Sequence, residues 1–168
     1  MSGIGHLTAG FAAKSTTPVV PLWALLAAGE ANDLLYFVFS SIGLESKSAF
    51  SMDFVHGVRY VQEFTHPWSH GLFMSIVWSS VATLLAYLIY RNHRTAGIIG
   101  LVVFSHWILD FLMHSNLPIS FGSAPLLGLG LENSGAGFLF MTVFDIALLG
   151  IGIMLYFRSH SSKSTTTK

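Results

Sequence analysis

The sequence predicts an all-α integral membrane protein: a bundle of four transmembrane helices with a short N-terminal half-helix tucked beside them. Three observations carry this. Of 168 residues, 52% are hydrophobic and only 10% charged, whereas a soluble domain carries roughly 25% charged residues. The mean hydropathy is strongly positive. Four windows approach or exceed the roughly 20 mostly apolar residues that a spanning helix needs.

The segment 3–13, "GIGHLTAGFAA", is apolar but too short to span. Its glycines and alanines permit close packing, either at the interface or as a half-helix among the spans. The first window is 19–43, "VVPLWALLAAGEANDLLYFVFSSIG", and the second is 69–90, "SHGLFMSIVWSSVATLLAYLIY". The third is 97–115, "GIIGLVVFSHWILDFLMHS", and the fourth is 136–157, "AGFLFMTVFDIALLGIGIMLYF". Residues 1–158 read as one membrane domain, and 159–168, ending "SSKSTTTK", as a disordered polar tail. The N-terminal "MSGIGHLTAG" has no basic region ahead of its apolar run, so no cleaved signal peptide is expected.

Basic residues favour the cytoplasmic side. With four spans, Lys14, Arg91, Arg94, Arg158, Lys163 and Lys168 share one side and only Lys47 and Arg59 the other. This bias predicts a multi-pass protein of the inner (cytoplasmic) membrane with both termini in the cytoplasm. The 44–68 and 116–135 loops then face outward. The latter is rich in Gly, Pro and Ser, carries no charge except Glu132, and can dip back toward the bilayer.

Net charge is zero and no basic patch is present, which argues against nucleic acid as a partner. The expected partners are the lipid bilayer and a small-molecule or lipid substrate, with a homo-oligomer left open. The absence of cysteine excludes disulfides and thiolate metal sites.

The acids are the conspicuous feature. The spans hold Glu30, Asp33, Asp110 and Asp145 but no Lys or Arg. Each acid at mid-membrane costs about 2.5–3.5 kcal/mol, so four unpaired ones cost on the order of 10–14 kcal/mol. Protons, intramembrane histidines or a bound cation must neutralise them. At 1.5 Å per residue from the inner ends, Asp33 lies about 18 Å in, Asp110 about 20 Å and Asp145 about 16 Å; Glu30 and His106 lie about 14 Å in. Groups from three helices at one level read as one site.

Spacing sharpens this. His106, Asp110 and His114 follow one another at four-residue intervals, so they share a helix face. His66 and His70 repeat the interval at the head of the second span, and Glu30 and Asp33 are three apart. A His/carboxylate set suits zinc or another divalent first-row metal. The bland alternative for His70, His106, Asp110 and Asp33 is a polar network that glues helices together. For Glu30 and Asp145 it is a protonated acid hydrogen-bonded to a neighbour.

The segments "GHLTAGFAAK", "PLWALLAAGEANDLL", "THPWSHG", "SHWILDFLMH" and "LGLGLENS" also occur in a telling order. An early His precedes an Asp in the first span, then a Ser/Thr-His pair, then His-x3-Asp. In this the chain resembles the YdjM-type family of membrane-bound metal-dependent hydrolases, itself distantly similar to zinc-dependent phospholipase C and the single-strand-specific zinc nucleases. The resemblance implies His6, Asp33, His70, His106 and Asp110 as metal ligands. It requires 3–13 to point back into the bundle, with Lys14 to Thr17 as the turn. Two departures stand out: "EANDLL" replaces a Pro-Asp-x-Asp run, and "HPWSHG" replaces His-Arg-Gly-x-Thr-His.

The function expected from these readings is a membrane-embedded metal-dependent hydrolase of a phosphoester or lipid-like substrate. Glu30, Asp145 or His114 would serve as its acid or base. The alternative is a non-enzymatic metal-binding or ion-conducting membrane protein. A bis-histidine haem on His70 and His106 ranks last, because it leaves four acids unexplained.

Overall fold

The computed structural model describes residues 4–47, 50–53, 56–60, 66–121 and 125–164. The chain runs α1 (Leu7–Lys14), α2 (Leu22–Gly29), α3 (Ala31–Ser41), a hairpin of β1 (Phe50–Asp53) and β2 (Gly57–Tyr60), α4 (Leu72–Tyr90) and α5 (His93–Met113). A minimal antiparallel pair, β3 (Leu117–Pro118) and β4 (Leu126–Leu127), a 3-10 turn (Leu131–Asn133) and α6 (Gly135–Ser164) complete it. Helices α4, α5 and α6 are each long and apolar enough to cross a membrane, and α2 with α3 makes a fourth span if the pair is counted as one.

The bundle wears its apolar residues outward. Trp23, Phe37, Leu84, Leu101 and Phe140 are all exposed, as expected where lipid tails are the solvent. One buried cluster is small and made of aliphatic side chains. Ala13, Val20, Leu25 and Val102 cluster where α1, α2 and α5 meet, with Ala9, Ala24 and Ala28 packed against them. Without a hydrophobic force between helices, close backbone approach does the packing. A Cβ on Gly100 would lie 3.0 Å from the Ser79 carbonyl oxygen of α4, and one on Gly10 would lie 2.7 Å from the Leu25 carbonyl oxygen.

The half-helix α1 turns at its C-terminal end through Ser15–Thr17. The Thr17 hydroxyl donates to the Ala13 carbonyl at 2.7 Å, and Lys14 Nζ donates to the Pro18 and Val20 carbonyls at 2.9 and 2.6 Å. These bonds tie the end of α1 to the connection that leads into α2. Its other face packs on α6, where a Cβ on Gly152 would sit 3.0 Å from the Thr8 carbonyl oxygen.

Three details differ from the sequence reading. The first span is not continuous: α2 and α3 meet at Glu30 with a bend of 63°. Gly29 explains the break. The chain of α1 passes so close that a Cβ there would lie 2.6 Å from the His6 carbonyl oxygen. Second, α5 starts at His93, four residues before the expected 97. Asn92 caps it, its Oδ1 accepting the Thr95 N–H at 3.0 Å. Asn92→Ala is expected to cost about 0.5–2 kcal/mol, read as a lower midpoint of thermal unfolding in detergent. Third, α6 continues past Arg158 to Ser164, into the segment expected to be a disordered tail. No Gly or Pro follows Gly152 to stop it. Residues 165–168 of that tail lie outside the described residues.

The loop after α5 folds back onto that helix. Leu129 N–H donates to the Phe111 carbonyl at 2.8 Å and Gly130 N–H to the His114 carbonyl at 3.1 Å. The close approach needs Gly128, whose φ is +124° and where a Cβ would meet the His114 carbonyl oxygen. This return carries Glu132 into the interior, where it is fully buried.

Candidate metal centre

Four imidazoles surround one carboxylate. Asp110, on the buried face of α5, is 3% exposed. Its Oδ1 lies 3.4 Å from His6 Nε2 and 3.6 Å from His114 Nε2. Its Oδ2 lies 3.5 Å from His70 Nε2 and 3.4 Å from His106 Nε2. Asp33, in the first turn of α3, adds a second carboxylate, with Oδ1 3.2 Å from His70 Nε2 and 3.8 Å from His106 Nε2. His6 stacks on His106 with ring centroids 3.6 Å apart.

The four histidines arrive from three places in the chain. His6 immediately precedes α1, and the packing of Gly10 and Gly29 draws it inward. His70 sits in the turn just before α4, where its N–H bonds to the His66 carbonyl at 2.9 Å. His106 and Asp110 are one helical turn apart on α5, and His114 follows at its end.

The outer nitrogens are tied down. His106 Nδ1 is 2.8 Å from the Gly29 carbonyl oxygen, which can only accept, so a proton is fixed on Nδ1 and Nε2 is the nitrogen available to an ion. This is the gain from the break in the first span: it turns a backbone carbonyl toward α5. His114 Nδ1 is 2.6 Å from Glu132 Oε1. His70 Nδ1 is 2.7 Å from the Ser69 hydroxyl, which donates to Glu45 Oε2 at 2.7 Å. Metal-binding histidines characteristically carry such a partner on the nitrogen away from the ion.

The residues fit a metal. His6, Asp33 and His106 offer ligand atoms within 4.8 Å of one another, and so do His70, His106 and Asp110. The Nε2-to-oxygen separations are long for charge-assisted hydrogen bonds, which run about 2.7–2.9 Å. They are near the roughly 3.3 Å that separates two ligands each about 2.0–2.1 Å from a tetrahedral ion. His106 Nε2 and Asp110 Oδ2 are buried and have no hydrogen-bond partner, a costly state that coordination would relieve.

The structure thus brings His6, Asp33, His70, His106, Asp110 and His114 into one cluster. Glu30 and Asp145 stand beside it. Both lie in Coulombic range of Asp110, and Glu30 Oε1 and Asp145 Oδ1 are buried without a hydrogen-bond partner. His66 lies at the edge, its ring 4.7 Å from that of Tyr36. Burial, with His70 and His114 adding to it, pushes His66 down to about 4, so it is neutral at pH 7. Trp23 is exposed on α2.

Sequence reasoning did not single out Glu45, Ser69, Glu132 or the Gly29 carbonyl. Glu132 left a signal as the lone charge of its loop, and Ser69 as the residue before His70. Glu45 and Gly29 left none, because their partners lie 24 and 77 residues away. Compared with family models, with curated proteins and with solved structures, the chain matches none.

Proposed function

We propose that this chain is a membrane-embedded, metal-dependent hydrolase of a phosphoester or lipid-like substrate, and a member of the YdjM-type family it resembles. The observation that carries this reading is the convergence of four imidazole nitrogens on the Asp110 carboxylate inside a bundle whose apolar windows 19–43, 69–90, 97–115 and 136–157 contain no Lys or Arg. A divalent ion is the neutralising charge. Zinc suits the all-nitrogen-and-oxygen donor set. His6, Asp33, His70, His106 and Asp110 would hold it. When bound, such an ion acidifies water and polarises a phosphoryl oxygen.

The remaining groups handle protons. His114 keeps its Nδ1 proton on Glu132 and presents Nε2 to Asp110, so it accepts a proton at Nε2. Glu30 Oε1 and Asp145 Oδ1, buried without partners, are places where a proton can be held. Access runs past Asp33, whose side chain is 38% exposed while that of Asp110 is 4% exposed. One turn beyond Asp33 on the same helix face stands Phe37, also exposed. A partly exposed carboxylate beside an exposed aromatic ring suits an amphiphile. The basic-residue bias places both termini in the cytoplasm, with the cluster nearer the outer face.

The test is elemental analysis of detergent-purified protein, wild type beside His106→Ala, followed by hydrolysis of a chromogenic phosphodiester. Stoichiometric zinc in the wild type, lost in the variant together with turnover, is expected. A wild type without any divalent metal overturns the reading. Metal without turnover of any ester, together with ion flux in liposomes, would favour a metal-binding or ion-conducting protein instead.

A further inference from the structure

Glu45 lies in the loop after α3, 25 residues before His70, yet it is 6% exposed. Among the described residues, its side-chain hydrogen bonds go to the turn that carries His70. Oε1 accepts the Trp68 N–H at 2.8 Å and the Ser69 N–H at 3.0 Å, and Oε2 accepts the Ser69 hydroxyl at 2.7 Å. Ser69 is fully buried and its Oγ stands 2.7 Å from His70 Nδ1.

We propose that Glu45 is a positioning residue that decides, through Ser69, which nitrogen of His70 carries the proton. The chain of bonds has one polarity. A carboxylate only accepts, so the single Ser69 hydroxyl proton points to Glu45. Ser69 Oγ must then accept from His70, which fixes the proton on Nδ1. Nε2 is left facing Asp33 Oδ1 at 3.2 Å and Asp110 Oδ2 at 3.5 Å, where it donates to a carboxylate in the metal-free protein and offers its lone pair when an ion is bound. The burial of Glu45 and Ser69 keeps bulk water from supplying a substitute donor or acceptor. The functional meaning of this arrangement rests on the reading of His70 as a metal ligand, since ligand basicity and orientation are set from the far nitrogen.

The polarity makes a reversal testable. In Glu45→Gln the side-chain amide can keep one oxygen for the two backbone N–H groups while its NH2 donates to Ser69 Oγ. The Ser69 hydroxyl then turns to donate to His70 Nδ1, which must give up its proton to accept, and Nε2 alone is protonated. Purified full-length protein, labelled with 15N-histidine and stripped of metal by a chelator, would be compared by NMR, with the His70 signals identified from a His70→Asn sample. The wild type is expected to show a protonated Nδ1, and Glu45→Gln an unprotonated Nδ1 with the proton on Nε2 alone. Zinc affinity, measured by competition with a chromophoric chelator, is expected to fall 10–100-fold in Glu45→Gln and in Ser69→Ala. The double variant should fall no further than the weaker single, because both changes act on one chain of bonds. Ser69→Ala leaves both backbone bonds to Glu45 in place, so it reports the chain without dismantling the loop. A His70 tautomer unchanged in Glu45→Gln, with affinity within about twofold of wild type, overturns the proposal. A wild type that binds no zinc would overturn the metal reading alone, since the tautomer comparison is made on metal-free protein.

Discussion

Asp110→Ala is expected to abolish metal binding and to give the largest loss of stability of any single substitution in the cluster. Asp110 stands within 3.6 Å of the Nε2 atoms of all four of His6, His70, His106 and His114. Its removal takes away the shared acceptor and leaves the imidazoles packed against one another in a dry interior. Breaking a buried charged arrangement by deleting one partner costs about 3–5 kcal/mol. Elemental analysis and denaturation of the same detergent preparation check both parts. Asp110→Asn separates them: it keeps the volume and one acceptor oxygen but loses the charge, so it should fold better than the alanine variant and still fail to retain metal. An Asp110→Ala protein with wild-type metal content would end the case for this site.

The second large effect is expected at a residue that touches no ligand with a side chain. In Gly29→Ala the added Cβ would sit 2.6 Å from the His6 carbonyl oxygen and 3.4 Å from its carbonyl carbon. Both are backbone atoms and cannot rotate away. The strain must push the start of α1 off the break between α2 and α3. That movement carries His6 away from His106 and disturbs the 2.8 Å bond between the Gly29 carbonyl and His106 Nδ1. Overpacking of this kind costs about 1–3 kcal/mol. Zinc affinity should fall at least tenfold although every ligand is intact. Gly97→Ala is the matched control: nothing lies within 4 Å of a Cβ there, so replacing glycine in the first turns of α5 should be neutral or stabilising by up to about 1 kcal/mol. Equal behaviour of the two variants would show that the close approach at Gly29 does not hold the site together.

The contrast between these two glycines shows what a linear reading can reach. Both stand in apolar helical stretches, and nothing local distinguishes them. Only the course of α1 over Gly29 does. The break at Glu30 was hidden for a related reason. Hydropathy sums composition along a window and is blind to a change of axis direction, so 19–43 reads as one span although it folds as two helices. The helical extension of α6 beyond Arg158 was hidden by polarity, which signals exposure to water but does not by itself stop a helix.

The sequence by itself determined that this chain is a helical membrane protein. It also determined that His106, Asp110 and His114 share one face of one helix, because apolar content and helical periodicity are local properties. It could place the acids of three spans at one depth, since depth follows from counting residues. Only the tertiary structure decided which of those groups meet. It set His6 against His106, left Glu30 and Asp145 beside the cluster without a bond into it, and brought Glu45, Glu132 and the Gly29 carbonyl to the outer nitrogens. Those contacts are made by chain reversals and by close approach at glycines, and neither leaves a periodic trace. A bond between residues 77 positions apart is settled by how whole helices pack, and that is a property of the assembled bundle.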